Sequence, residues 1–198
     1  MDTFLFYLNV GVNHIIDLNA YDHLLFLSSI SLPYTFKRYY SLFWIVTFFT
    51  IGHTVSLFIS TYNIYNPNLD VIEFLIPLTI LFSAVSNLIP KMEIKKTSFS
   101  HFISLIFGLI HGFGFAGFYD QITFSDQIEF TPLIGFTVGV EIAQIIIVVF
   151  VLFFSSMFQS KRNFFTKNFT KIMSILICLL TILTVSYTHL TLPTKRIV

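Results

Sequence analysis

Long apolar runs separated by short polar breaks dominate the chain. At ~20 residues per crossing of a ~30 Å hydrocarbon layer, they predict six transmembrane helices. These fall at about 21–36, 40–60, 70–90, 99–118, 131–158 and from 171 onward. The runs lack the strict apolar–polar alternation of barrel strands, so the expected class is an all-α polytopic membrane protein. Ahead of them, Thr3–Ile16 predicts a short helix lying at the interface or re-entering the membrane. No basic residue precedes that segment and no cleavage site follows it, unlike a secretory signal. The last run breaks early. Its apolar stretch Ile172–Val185 is only 14 residues, too short to span unaided. The closing string VSYTHLTLPTKRIV resembles a translated sequencing-adapter tail. Residues 1–184 are therefore expected to form a single membrane domain with a truncated sixth helix. Residues 185–198 are read as a non-native tail, which leaves His189 out of any site.

Composition narrows the class further. Of 198 residues, 55% are apolar and 11% charged, against roughly 25% charged in a soluble domain. A water-soluble globule and a disordered chain are both excluded. The net charge of +1 points to no nucleic-acid partner. The lone Cys178 excludes a disulfide framework and a thiolate metal site built from one chain.

The few charges are unevenly placed. Lys37 and Arg38 follow the first run, Lys91, Lys95 and Lys96 the third, and Lys161, Arg162, Lys167 and Lys171 the fifth. The intervening connections hold Asp70, Asp120, Asp126 and Glu129 and no basic residue. Under the positive-inside rule the basic loops are cytoplasmic and the N-terminus lies outside. A bacterial cytoplasmic (inner) membrane is the expected location, with the bilayer as first partner.

Ionisable residues inside such runs are costly and mark function by default. Four imidazoles and three carboxylates qualify: His14, Asp22, His23, His53, Glu73, His111 and Glu141. With alternating spans, His53, His111 and Glu141 each lie ~3–5 Å to the outer side of their helix centres at 1.5 Å per residue. Glu73, Asp22 and His23 enter from that same side, so one outward cavity is expected. Thr137 and Gln144 share a helix face with Glu141 and are taken as supporting polar groups. A set rich in imidazole and free of thiolate suits Ni²⁺, Co²⁺ or Zn²⁺ better than Ca²⁺ or Mg²⁺. A proton relay through the same groups is the next reading. Gly135 and Gly139 form a small-xxx-small pair, which more often packs helices than serves chemistry.

In order, the motifs are HIIDLNAYDHLLFL (14–27), FTIGHTVSL (49–57), VIEFLIPLTI (71–80), FGLIHGFGFA (107–116) and GFTVGVEIAQ (135–144). Together they resemble the HupE/UreJ family of membrane proteins, associated with hydrogenase and urease gene clusters and with nickel uptake. The resemblance covers about residues 6–155. It implies that His14, Asp22 and His23 match the family's proposed metal-binding histidine and aspartate–histidine pair. It likewise implies roles for His53, Glu73, His111 and Glu141. Two departures stand out. Seven residues separate His14 from Asp22 instead of five, and the fourth motif reads HGFGF without a second histidine. The chain thus resembles a divergent branch of the family.

The resulting expectation is a permease carrying a divalent metal ion, nickel first, from outside to cytoplasm. The ion is cargo, and no prosthetic group is expected. No GxxxxGK[ST] loop and no HExxH pair occur, so the chain is not expected to be an enzyme. A membrane metal-dependent enzyme and a non-transporting accessory subunit are the alternative classes. A homo-oligomer and metalloenzyme-maturation partners are both compatible with the sequence.

Overall fold

In a computed structural model the chain is all-helical among the described residues, which are 2–17, 21–89, 97–122, 130–159 and 164–190. Seven α-helices follow in order: α1 (Thr3–Ile16), α2 (Asp22–Ser31), α3 (Tyr39–Thr61), α4 (Leu69–Ser86), α5 (Thr97–Ile122), α6 (Phe130–Gln159) and α7 (Phe164–Leu190). Side chains start two of them. Asp2 accepts a hydrogen bond from the Phe4 N–H at 3.3 Å, and Asn68 from the Asp70 N–H at 2.8 Å. Each satisfies a donor that the first helical turn leaves orphaned.

Five helices are long and apolar enough to cross a membrane, within 36–61, 69–86, 98–122, 130–158 and 168–186. Their outer surfaces carry large apolar side chains such as Phe150, Phe153 and Leu183, which suits lipid and not water. The run at 21–36 departs from expectation. It forms only the ten-residue α2, too short to cross alone. Pro33 supplies the reason, because it has no N–H to donate back to the Ser29 carbonyl. That carbonyl accepts instead from Asn87 Nδ2 at 2.8 Å. The last span is also longer than expected. It covers 19 residues, 168–186, because helix forms through the polar turn that carries Lys171. A lysine there can run its stem along the apolar surface toward water. Of the charges that set the expected orientation, Lys91, Lys95, Lys96, Asp126, Glu129, Lys161 and Arg162 lie outside the described residues, as do 191–198.

Two glycine-sealed pairs form the frame. α1 lies along α6: a Cβ on Gly139 would strike the Leu8 carbonyl oxygen, and one on Gly11 the Phe136 carbonyl oxygen. Gly135 faces Phe4–Leu8 and Gly139 faces Leu8–Val12, so the two helices run parallel. α3 lies along α5 in the same way. Gly108 meets the Phe49 carbonyl, Gly112 meets His53 and Ser56, and Gly52 meets the Leu105 carbonyl. Such close backbone approach is the use membrane helices make of small residues. The pairs oppose each other in direction, since Thr54 meets Thr137 while Thr50 meets Gln144.

α1 and α2 are consecutive parts of one passage through this bundle. Tyr7 of α1 donates to the Ile122 carbonyl at 2.8 Å, where α5 ends. At the other end, Ser29 is hydrogen-bonded to Ser83, and the Leu32 carbonyl accepts from Thr170 at 3.3 Å. The helix is thus interrupted between Ile16 and Asp22, midway along its path.

Candidate metal centre

The interruption brings two helix ends together. His14 sits in the last turn of α1, where orphaned carbonyls give a partial negative charge, and His23 in the first turn of α2. His53 projects from α3 and His111 from α5. Ring centroids lie 4.6 Å apart for His14 and His23, 5.7 Å for His14 and His53, and 6.0 Å for His23 and His53. One nitrogen from each of His14, His23 and His53 falls within 4.8 Å of the other two. His111 completes the cluster beside His23, at 5.4 Å between centroids.

Protons can be assigned from the partners. Asp22 Oδ1 accepts from the His23 backbone N–H at 2.9 Å and from its Nδ1 at 3.1 Å. A carboxylate can only accept, so His23 carries its hydrogen on Nδ1 and presents a lone pair at Nε2. His111 donates Nδ1–H to the Phe107 carbonyl at 2.8 Å, which frees its Nε2 likewise. Those two nitrogens, His14 Nε2 and both nitrogens of His53 are buried without a hydrogen-bond partner. Leaving a buried polar group unpaired costs about 1–3 kcal/mol. Five such nitrogens in one cluster have no hydrogen-bond partner among the described residues. A tetrahedral ion with 2.0–2.1 Å bonds sets its nitrogens ~3.4 Å apart, within reach of modest ring rotations here.

Access comes from a cavity of about 720 Å³ at the interruption. Asn13, His14, Asp17, Asp22, His23 and His111 give it its polar wall, and Phe115 and Phe118 much of its apolar one. Phe115 lies 3.7 Å from His14 between ring centroids and stacks on Phe136 at 5.1 Å. On the opposite side, one turn along each helix toward Leu32, Phe26, Phe49 and Phe107 close the cluster. Phe26 stacks on Phe49 at 4.8 Å and meets Phe107 at 5.8 Å. The site is therefore open on one side and shut by aromatic rings on the other.

Two of the expected carboxylates stand elsewhere. Glu73 is exposed near the start of α4 and does not line the cavity. Glu141 is held by hydroxyls of α3, accepting from Thr47 at 2.7 Å and from Thr50. Thr137 pairs with Thr54 at 2.9 Å, and the Gln144 side-chain amide lies 2.9 Å from Thr50 Oγ1. Of the seven ionisable residues, His14, Asp22, His23, His53 and His111 converge. Asn13, Asp17 and Phe115 belong to the cavity without having been expected there. Asn13 and Asp17 flank His14 at helical spacing, which is the signal that could have found them.

Residues 1–191 match the family model described as HupE / UreJ protein. The chain belongs to the HupE/UreJ family. This is a family of membrane-associated accessory and transport proteins connected with nickel and cobalt, and not one of enzymes. No curated protein and no solved structure matches this HupE/UreJ chain.

Proposed function

We propose that this protein is a permease that carries a divalent transition-metal ion, nickel first, across the bacterial inner membrane into the cytoplasm. The observation that carries the reading is the cluster of buried, unpartnered imidazole nitrogens of His14, His23, His53 and His111 beside Asp22. A donor set dominated by imidazole nitrogens favours Ni²⁺, Co²⁺ or Zn²⁺ over Mg²⁺ or Ca²⁺.

The passage formed by α1 and α2 counts as one crossing, which with the five long helices makes six. Its interruption serves the purpose that broken helices serve in many transporters, since unwound backbone is tolerated where it lines a cavity. The N-terminus is outside, opposite the basic loops. The cavity then faces outward and the Phe26–Phe49–Phe107 cluster closes the inner side.

Each residue has a task in this scheme. Asp17 and Asp22 attract the cation into the cavity. His23, fixed in one tautomer by Asp22, presents Nε2, and His14 and His53 supply further nitrogens in exchange for water ligands. His111 offers the next nitrogen. Inward movement requires the aromatic closure to part. The membrane potential favours entry of a dication by ~4–5 kcal/mol per 100 mV.

Uptake of ⁶³Ni by cells expressing the protein tests this directly. His23→Ala and His111→Ala should each reduce uptake to near the vector control at equal protein levels. Wild-type uptake by both variants would sink the proposal.

A further inference from the structure

A second cavity, of about 280 Å³, lies at the starts of α3 and α5, away from the metal centre. Tyr34, Arg38, Ser41, Ser100 and His101 form its polar wall. The parallel pairing of α3 with α5 brings these groups together. Gly108 meets the Phe49 carbonyl, and one turn nearer the start Ser104 Oγ donates to the Ile45 carbonyl at 2.6 Å. One further turn along the same register lie Ser41 and Ser100. Two helices that begin side by side turn the positive ends of their dipoles the same way. No side chain caps the start of α3.

The charge of the wall has one sign. Arg38 lines the cavity and no carboxylate does. The chain has no acidic residue between Asp22 and Asp70, and Arg38 makes no ion pair among the described residues. Ser100 is only 7% exposed. His101 lies flat on Phe48 at 4.8 Å between centroids, and its Nε2 is buried without a hydrogen-bond partner. Arg38 and the three hydroxyls can donate whichever tautomer His101 holds.

We infer that this cavity binds a phosphate group, that of an anionic phospholipid in the adjoining leaflet. A guanidinium fork and several hydroxyl donors match the oxygens of a phosphate, and a metal cation finds no carboxylate here. The cavity is smaller than the ~300–1,000 Å³ typical of sites that enclose a whole ligand, which suits a headgroup whose acyl chains stay outside. Exposed Tyr39, Tyr40, Phe43 and Trp44 surround this end of α3. Aromatic residues gather at headgroup level in membrane proteins, and basic pockets between membrane helices hold anionic headgroups. Those surroundings favour lipid over free phosphate. A bound phosphate ties together the starts of the two helices that carry His53 and His111. The site stands whether or not the protein is a permease.

Native mass spectrometry of the delipidated full-length protein, titrated with phosphatidylglycerol or phosphatidylcholine, tests this. One phosphatidylglycerol should bind saturably and more tightly than phosphatidylcholine, whose ammonium meets the charge of Arg38. Arg38→Gln should weaken that binding about tenfold, or ~1.4 kcal/mol. His101→Phe, which keeps a ring on Phe48, should weaken it severalfold. Lys37→Gln, beside Arg38 in sequence but not in the cavity wall, should change it less than twofold. Circular dichroism and an unchanged lipid-free melting midpoint report that each variant is folded. Saturable binding of ³²P-phosphate, lost in Arg38→Gln and with no preference for phosphatidylglycerol, keeps the phosphate site and overturns the lipid as its source. Saturable binding of neither ligand overturns the inference. So does unchanged binding in both Arg38→Gln and His101→Phe, or an equal loss in Lys37→Gln and Arg38→Gln, the mark of diffuse charge attraction.

Discussion

Asp22 uses one oxygen twice, accepting from its neighbour's backbone and from its neighbour's ring. That double contact aims His23 and sets a carboxylate against the imidazole cluster. Outer groups of this kind typically change metal affinity by 10–100-fold when removed. Asp22→Asn should therefore weaken Ni²⁺ binding by roughly one order of magnitude while leaving the helices intact. Calorimetric titration of the purified variant, with circular dichroism as the fold check, measures this; affinity within twofold of wild type would count against the role. Depth along a helix was legible from residue numbers, and it grouped His53, His111 and Glu141 at one level. Direction around the helix was less so. Thr50 and His53 are only three residues apart, yet one faces Glu141 and the other the imidazoles. A difference of that size depends on how α3 rolls against both α5 and α6, which no single helix encodes.

At the scale of elements, the apolar runs located every long helix because length and hydropathy are local properties. The interruption in the first passage was not legible as such. The sequence showed a short helix and a separate span, and only the contact of α1 with α6 joins α1 and α2 into one path. The glycines explain how that contact is made. Gly139 and Gly108 each sit where a side chain would collide with a carbonyl of the facing helix. Gly139→Leu should push α1 off α6 and disturb His14, and Gly108→Leu should part α3 from α5 and disturb His53. Both changes force overpacking, which costs ~1–3 kcal/mol or more. Thermal unfolding in detergent should show lower midpoints for both. Gly117→Ala, where an added Cβ meets nothing within 4 Å, should melt like wild type and serves as the control.

For the whole molecule, orientation is the property most directly open to test. The lone native thiol is replaced first, as Cys178→Ala. Single cysteines are then introduced by Asn66→Cys, between α3 and α4, and Thr35→Cys, between α2 and α3. A membrane-impermeant maleimide applied to intact cells should label the first and spare the second until the cells are opened. The reverse pattern would turn the molecule over and make the cavity face the cytoplasm. The proposed orientation rests on charge placement, because basic residues resist transfer across the membrane wherever the protein folds. Sequence could not disclose the pairing of the helices, since it joins parts of the chain that are far apart.

That distance bears on how the protein is made. α1 has 14 residues, fewer than the ~20 that hold a helix in a bilayer unaided. The surface that secures it belongs to α6, where Gly11 meets Phe136 and Gly139 meets Leu8. At ~5–20 residues per second, α1 waits roughly 6–25 s before its partner leaves the ribosome. Through that interval His14 lacks the α6 side of its surroundings, including Phe136. Docking of α1 is therefore a late act of packing, and the imidazole cluster is complete only after α6 has been made.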